Sequence, residues 1–196
     1  MFDKLRRLEL CIRECAATFG WSLSGNCLAC FRGNLAFLLQ PTMDGDQIEY
    51  TLSYRFAAFD RVYDALTGAR CYPGIVIARG SQPVDSWALM SVSTAMRTVT
   101  GRVDKFTSAL AAKVVTLADN LDFLRYLNRR NARLLEPQLD LSCELILSCL
   151  ISGDGDAAVR AAATARANGD RGGELYPAVL SYVERQADHP SSGQRY

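Results

Sequence analysis

Nine residues of strict alternation constrain this chain most. Ile48, Tyr50, Leu52, Tyr54 and Phe56 alternate with Glu49, Thr51, Ser53 and Arg55. Successive side chains of a strand point to opposite faces, so this run reads as a strand with one apolar and one wet face. Such a strand belongs to a sheet covered on one side only, hence antiparallel or mixed. The face carrying Tyr50, Leu52 and Tyr54 is expected to be buried against a helix over residues 2–18. There Leu5, Leu8, Ile12, Cys15 and then Phe19 recur three or four apart, Arg6, Arg7, Arg13 and Glu14 fall largely elsewhere, and Gly20 is a natural stop.

The segment between them, residues 21–56, reads as an antiparallel meander. Gly25-Asn26 and Gly33-Asn34 separate short apolar runs, and a glycine opening a two-residue loop can take the positive φ of a tight hairpin. Residues 41–47 (PTMDGDQ) read as a longer turn. Beyond the meander, residues 58–67 suggest a short helix on Phe59, Val62 and Leu66 with Gly68 as its stop, and Ile75 to Ile77 suggest a strand. Residues 84–92 around Trp87 suit a strand or a helix start. From Thr100 to Arg133 the period is helical, with Asp119 or Asn120 as a cap that divides it in two. Residues 141–152 fit either a buried strand or an apolar helix, and their alternation slightly favours strand. Helices follow over 156–168 and, after Gly172-Gly173, to about Ala187, with Leu175, Val179, Leu180 and Val183 inward and Pro177 in the first turn.

These elements predict an α+β fold: an N-terminal helix, a mostly antiparallel sheet built on a three- to four-strand meander, and helices packed on one face. We expect one domain over residues 1–188, with 57–100 as a candidate insertion and a polar tail at 189–196. No apolar run of 18 residues occurs, so no membrane span is expected. The charged N-terminus is unlike a signal peptide. Seven cysteines, an odd number, then read as reduced thiols in a cytoplasmic protein rather than a disulfide framework.

Chemistry is bounded first by histidine. The chain has one, His189, in the polar tail. Nucleophile–histidine catalysis needs a positioned imidazole, as do zinc-protease and facial-triad iron sites, so these classes are excluded. There is neither a P-loop nor a GxGxxG, and no cofactor is expected. Cys27 and Cys30 form a CxxC, but residues three apart in a strand point to opposite faces. With Cys11 and Cys15, four apart on one helix face, they make a four-thiolate set for zinc; buried apolar cysteines are the plainer reading. The acidic pairs Asp44/Asp46 and Asp154/Asp156 sit in glycine turns, where aspartate is ordinary.

The net charge of +1 supplies no field for specific nucleic-acid binding or for a membrane surface. Arg125, Arg129, Arg130 and Arg133 are the one basic concentration. On a helix, Arg125, Arg129 and Arg133 share a face that could grip phosphates or an acidic partner, or could simply be solvated. Residues 97–135 carry eight basic and three acidic side chains, +5 in all, so the remainder is −4. That makes this segment the positive pole of a nearly neutral chain.

Three segments carry a resemblance: LRYLNRRNARLLEPQLD (Leu124 to Asp140), CELILSCLISGDGD (Cys143 to Asp156) and GELYPAVLSYVERQ (Gly173 to Gln186). They resemble the type III secretion chaperone-like superfamily, including the bacterial sensory-transduction-regulator family. That group shows a helix ending in Leu-Asn, here Leu127-Asn128, then two strands, then a last helix opening near Tyr-Pro, here Tyr176-Pro177. The resemblance implies a bacterial protein-binding module, often a homodimer, without enzymatic activity. Two other classes stay open at this point. One is an immunity or defence protein that blocks a bacterial or phage toxin. The other is an enzyme without a catalytic histidine, working through arginine and carboxylates or a cysteine thiolate.

Overall fold

The computed structural model describes residues 2–70, 72–84, 91–134 and 138–188. The tail with His189 and most of the Trp87 stretch lie outside them. The chain packs as two compact units, Met1–Phe56 with Gly74–Thr116, and Ala57–Pro73 with Leu117–Tyr196. The fold is α+β.

The first unit holds helix α1 (Phe2–Phe19), strands β1 (Ser22–Ser24), β2 (Cys27–Arg32), β3 (Leu35–Asp44), β4 (Gln47–Phe56) and β5 (Ile75–Pro83), and helix α3 (Ser91–Ala111). The strands form one antiparallel sheet in the order β1-β2-β3-β4-β5. All three turns of the meander are two-residue loops. Ser24 pairs with Cys27, Arg32 with Leu35 and Asp44 with Gln47, and Gly25, Gly33 and Gly45 each take the positive φ that such loops demand. The expected longer turn at 41–47 is therefore mostly strand. Pro41 is tolerated there because β2 pairs with β3 only as far as Leu39, leaving a local edge where a missing N–H costs no ladder bond.

The alternation of β4 is realised. Ile48, Leu52, Tyr54 and Phe56 are buried, whereas Tyr50 is half-buried. Leu28, Leu39 and Leu52 are fully buried in register across three strands, and the Phe37 and Tyr54 rings stack at 6.1 Å. The covering helix differs from expectation. α1 lies over β1 to β3, and α3 lies over β4 and β5 and also reaches β2. The reason is the extent of α3, which begins at Ser91, well before the predicted start near Thr100.

The second unit is helical: α2 (Phe59–Thr67), α4 (Leu117–Arg133), α5 (Ser142–Ile151), α6 (Gly155–Asn168), a 3-10 turn (Arg171–Leu175) and α7 (Tyr176–Asp188). The break between α3 and α4 falls at residues 112–116, and Asn120 is a buried residue inside α4 rather than a cap. The slight preference for a strand at 141–152 is overturned. α5 occupies that run, with Cys143, Glu144, Ile146, Leu147 and Ser148 buried. α5 is surrounded by α2, α4, α6 and the 3-10 turn, so it is apolar nearly all round, and an all-round apolar helix loses the periodicity that would identify it. The two strands implied by the resemblance are likewise helices α5 and α6. Asp154 caps α6, its carboxylate accepting from Ala157 N at 2.9 Å. Gly172 and Gly173 allow close packing: a Cβ on Gly173 would stand 2.6 Å from Arg166 Cα of α6, and one on Gly172 2.7 Å from Ser142 Oγ. Among the described residues, no helix is long and apolar enough to cross a membrane.

Candidate protein-binding surface

The four sequence-predicted arginines fall on the last three turns of α4. Leu124 and Leu127 anchor this helix in the unit's interior, which turns Arg125, Arg129, Arg130 and Arg133 outward. Arg130 and Arg133, in the last turn, also face the negative end of the helix dipole. Arg125 pairs with Asp122 at 3.2 Å across one turn, but both side chains are well exposed and the pair is screened. Two large apolar side chains interleave with the arginines, Tyr126 at 56% and Leu134 at 53% exposure. Of the basic residues in segment 97–135, Arg97, Arg102, Lys105 and Lys113 belong to the sheet-bearing unit and the α4 arginines to the helical one.

Beside this surface runs an open groove of about 490 Å³, lined by residues of α4, the approach to α5, α5 itself and α6. Arg125 and Arg160 line it together with Leu121, Leu139, Leu141 and Leu145. One bracket positions its floor. Asn128 donates through Nδ2 to Leu139 O at 3.0 Å and accepts through Oδ1 from Leu139 N at 2.7 Å, clamping the incoming chain to α4. Asp140 then accepts from Ser142 N at 2.9 Å and from Arg171 N at 2.6 Å. Burial alone would raise the Asp140 pKa, but these donors outweigh it and hold the carboxyl below its ordinary value.

A third feature is closed. Glu144, 2% exposed, accepts from the Tyr72 hydroxyl and from Arg171 Nη2, at 3.1 Å to Oε1 and 3.2 Å to Oε2. Arg171 Nη2 also donates to the Tyr72 oxygen at 2.6 Å, and its guanidinium lies over the Tyr72 ring at 5.7 Å. Tyr72 is held in turn by Phe59 and Tyr63 edge contacts, with its N–H donating to Asp60. Burial raises the Glu144 pKa despite these donors, and burial together with the Glu144 charge raises that of Tyr72. The groove on α4 to α6 is lined by none of Tyr72, Glu144 or Arg171. Both Glu144 oxygens are engaged within the protein, which fits a polar lock of the helical core better than a reaction centre.

The cysteines divide as the strand period dictates. Cys30 is buried on the helix-covered face of β2, and Cys27 lies on the other face. Cys11 and Cys15 are buried on α1. Burial pushes the thiols of all four up, Cys30 to about 11, so they stay protonated near neutrality. Among the described residues, no group of three or more His, Cys, Asp or Glu is placed to hold a metal ion.

Sequence reasoning missed Arg160, which lies 35 positions from Arg125 and shares no local pattern with it. It also did not single out Glu144, although a lone carboxylate in CELILSCLI could have signalled a buried partnered charge. No protein-family model, curated protein or solved structure matches the chain.

Proposed function

We propose that this chain is a non-catalytic, protein-binding module whose partner presents an acidic surface. The observation that carries the reading is the outer face of α4, where Arg125, Arg129, Arg130 and Arg133 are exposed together with Tyr126, and the exposed Leu134 follows at the helix end. Arginine and tyrosine are the residue types that dominate binding hot spots, because each combines a large apolar body with hydrogen-bonding capacity. A planar guanidinium pairs with a carboxylate through two parallel hydrogen bonds, which favours acidic partners. The closed Glu144 cluster and the buried Cys11, Cys15, Cys30 and Cys143 support the non-catalytic part, since none of these offers an accessible nucleophile or base. A cytoplasmic location accords with the free thiols among the described residues.

The test is affinity purification of the tagged full chain from its source organism, beside the variant Arg129→Glu, Arg130→Glu, Arg133→Glu. The reading predicts a stoichiometric protein partner with wild type and at least a tenfold lower yield with the triple variant of unchanged circular dichroism. Equal recovery of that partner by the folded variant would remove the α4 face from the account.

A further inference from the structure

Resting on the reading that the outer face of α4 is the interface, we propose that this face pairs with the same face of a second copy of the chain, the two α4 helices running antiparallel about a two-fold axis at Tyr126. The charges of this face are sorted along the helix. Asp119 lies in the first turn with Asp122 three residues on, whereas Arg130 and Arg133 lie in the last turn. Asp119, Asp122, Tyr126, Arg130 and Arg133 are spaced three, four, four and three apart. At about 100° per residue, all five fall within about 40° of the Tyr126 direction, so they form one stripe along the helix. The spacing reads the same from either end of the stripe, while the charge reads with opposite sign.

That combination selects the occupant. Turning a second α4 end over end about Tyr126 sets Asp119 against Arg133 of the second copy, and Asp122 against its Arg130 with Arg129 beside it. The two-fold repeats both pairings. Tyr126 meets its own counterpart, as the residue on the axis of a two-fold interface must, and two rings there can stack offset or edge to face. The exposed Leu134 falls opposite the exposed Ala118 of the second copy. Leu134 keeps to the helix path, since its N–H still donates to Arg130 O at 3.1 Å. A parallel copy would instead set arginine against arginine, and a purely acidic partner would leave Asp119 and Asp122 facing carboxylates. Asp122 pairs with Arg125 on its own helix, but the two side chains are 76% and 59% exposed, and so solvated a pair leaves Asp122 open to an incoming guanidinium. One pair of helices buries a small interface, so the dimer is reversible and not obligate.

The test is sedimentation equilibrium of the full chain and of two charge variants with unchanged circular dichroism. Wild type should approach twice the chain mass as concentration rises. Asp119→Arg with Asp122→Arg makes the charged positions of the stripe wholly basic, and Arg130→Asp with Arg133→Asp makes them wholly acidic. Each variant alone should self-associate at least tenfold more weakly than wild type. Mixed in equal amounts, the two should form a heterodimer at least as tight as the wild-type dimer, because all four crossed pairs are then complementary. A monomeric wild type, unweakened self-association of either folded variant, or a mixture that stays monomeric would each overturn the pairing. Should a charge variant fail to fold, Tyr126→Arg sets like charges on the axis and is expected to give the same tenfold loss, and an unweakened dimer with it overturns the pairing. A monomeric wild type, beside an α4 triple variant that loses some other co-purified protein, rejects the second copy and leaves the acidic-partner reading standing. A triple variant that loses neither a second copy nor any other protein rejects the reading itself.

Discussion

Each unit contains one cluster of the same three chemical parts: a carboxylate, an arginine and an aromatic donor. In the sheet-bearing unit, Asp104 accepts from Trp21 Nε1 at 2.8 Å and from Arg32 Nη2 at 2.7 Å on the same oxygen. In the helical unit, Glu144 accepts from Tyr72 and Arg171. They differ in water. The Asp104 side chain is 26% exposed and that of Arg32 33%, while the Glu144 side chain is 3% exposed beside an Arg171 side chain that is 40% exposed. Desolvation raises the Glu144 pKa. A partly solvated cluster ties elements together at little cost. A buried one opposes its own ionisation and is held in place by the surrounding core.

The largest expected effect follows from breaking the buried cluster. Glu144→Ala removes the acceptor from the buried Tyr72 hydroxyl and leaves a cavity, and should cost about 3–5 kcal/mol in urea unfolding. Asp104→Ala strips the acceptor from a nearly buried indole N–H, and about 1–3 kcal/mol is expected. Arg32→Ala, which removes the more exposed partner, should cost about 1 kcal/mol or less. A ranking in which Asp104→Ala exceeds Glu144→Ala would break the comparison.

A pH series sharpens it within the helical unit. Glu144 has a higher pKa folded than unfolded, so the native state binds this proton more tightly. Its stabilising contribution is complete below the ordinary carboxylate range and is lost as pH rises through the folded value. Glu144→Gln does not titrate, so its Tm should gain on wild type as pH rises. Asp140 runs the other way. Its folded pKa is depressed, so its contribution is present above the ordinary value and lost as pH falls through the folded one. The Tm deficit of Asp140→Asn should therefore shrink on acidification. Parallel pH profiles for the two variants would contradict the opposite signs.

What the sequence could convey differs between the units for a physical reason. The meander was legible because its information is local: a period of two, and glycines at the tight loops between paired strands. Only the extent of β3 escaped, since Pro41 suggested a loop and the local edge that tolerates it is a property of pairing. α5 was not legible, because a ten-residue apolar run surrounded by helices satisfies both periods. The α4 arginines were visible as a cluster, and their exposure followed from Leu124 and Leu127. The groove was not, because Arg160, Leu145 and Leu139 meet through packing of α4, α5 and α6. Tyr72, Glu144 and Arg171 likewise come from three distant stretches, and neither spacing nor composition links them.

The most direct test of the central claim is the salt dependence of the dissociation constant between the purified chain and its co-purified partner. Wild type should be compared with Arg129→Glu, Arg130→Glu, Arg133→Glu. Steering by exposed guanidinium groups predicts affinity that weakens steeply with salt in wild type. The folded triple variant should then bind at least tenfold more weakly at low salt, with a flattened or reversed dependence. Equal affinity and an equal salt slope for both proteins would contradict the claim that the α4 face receives the partner.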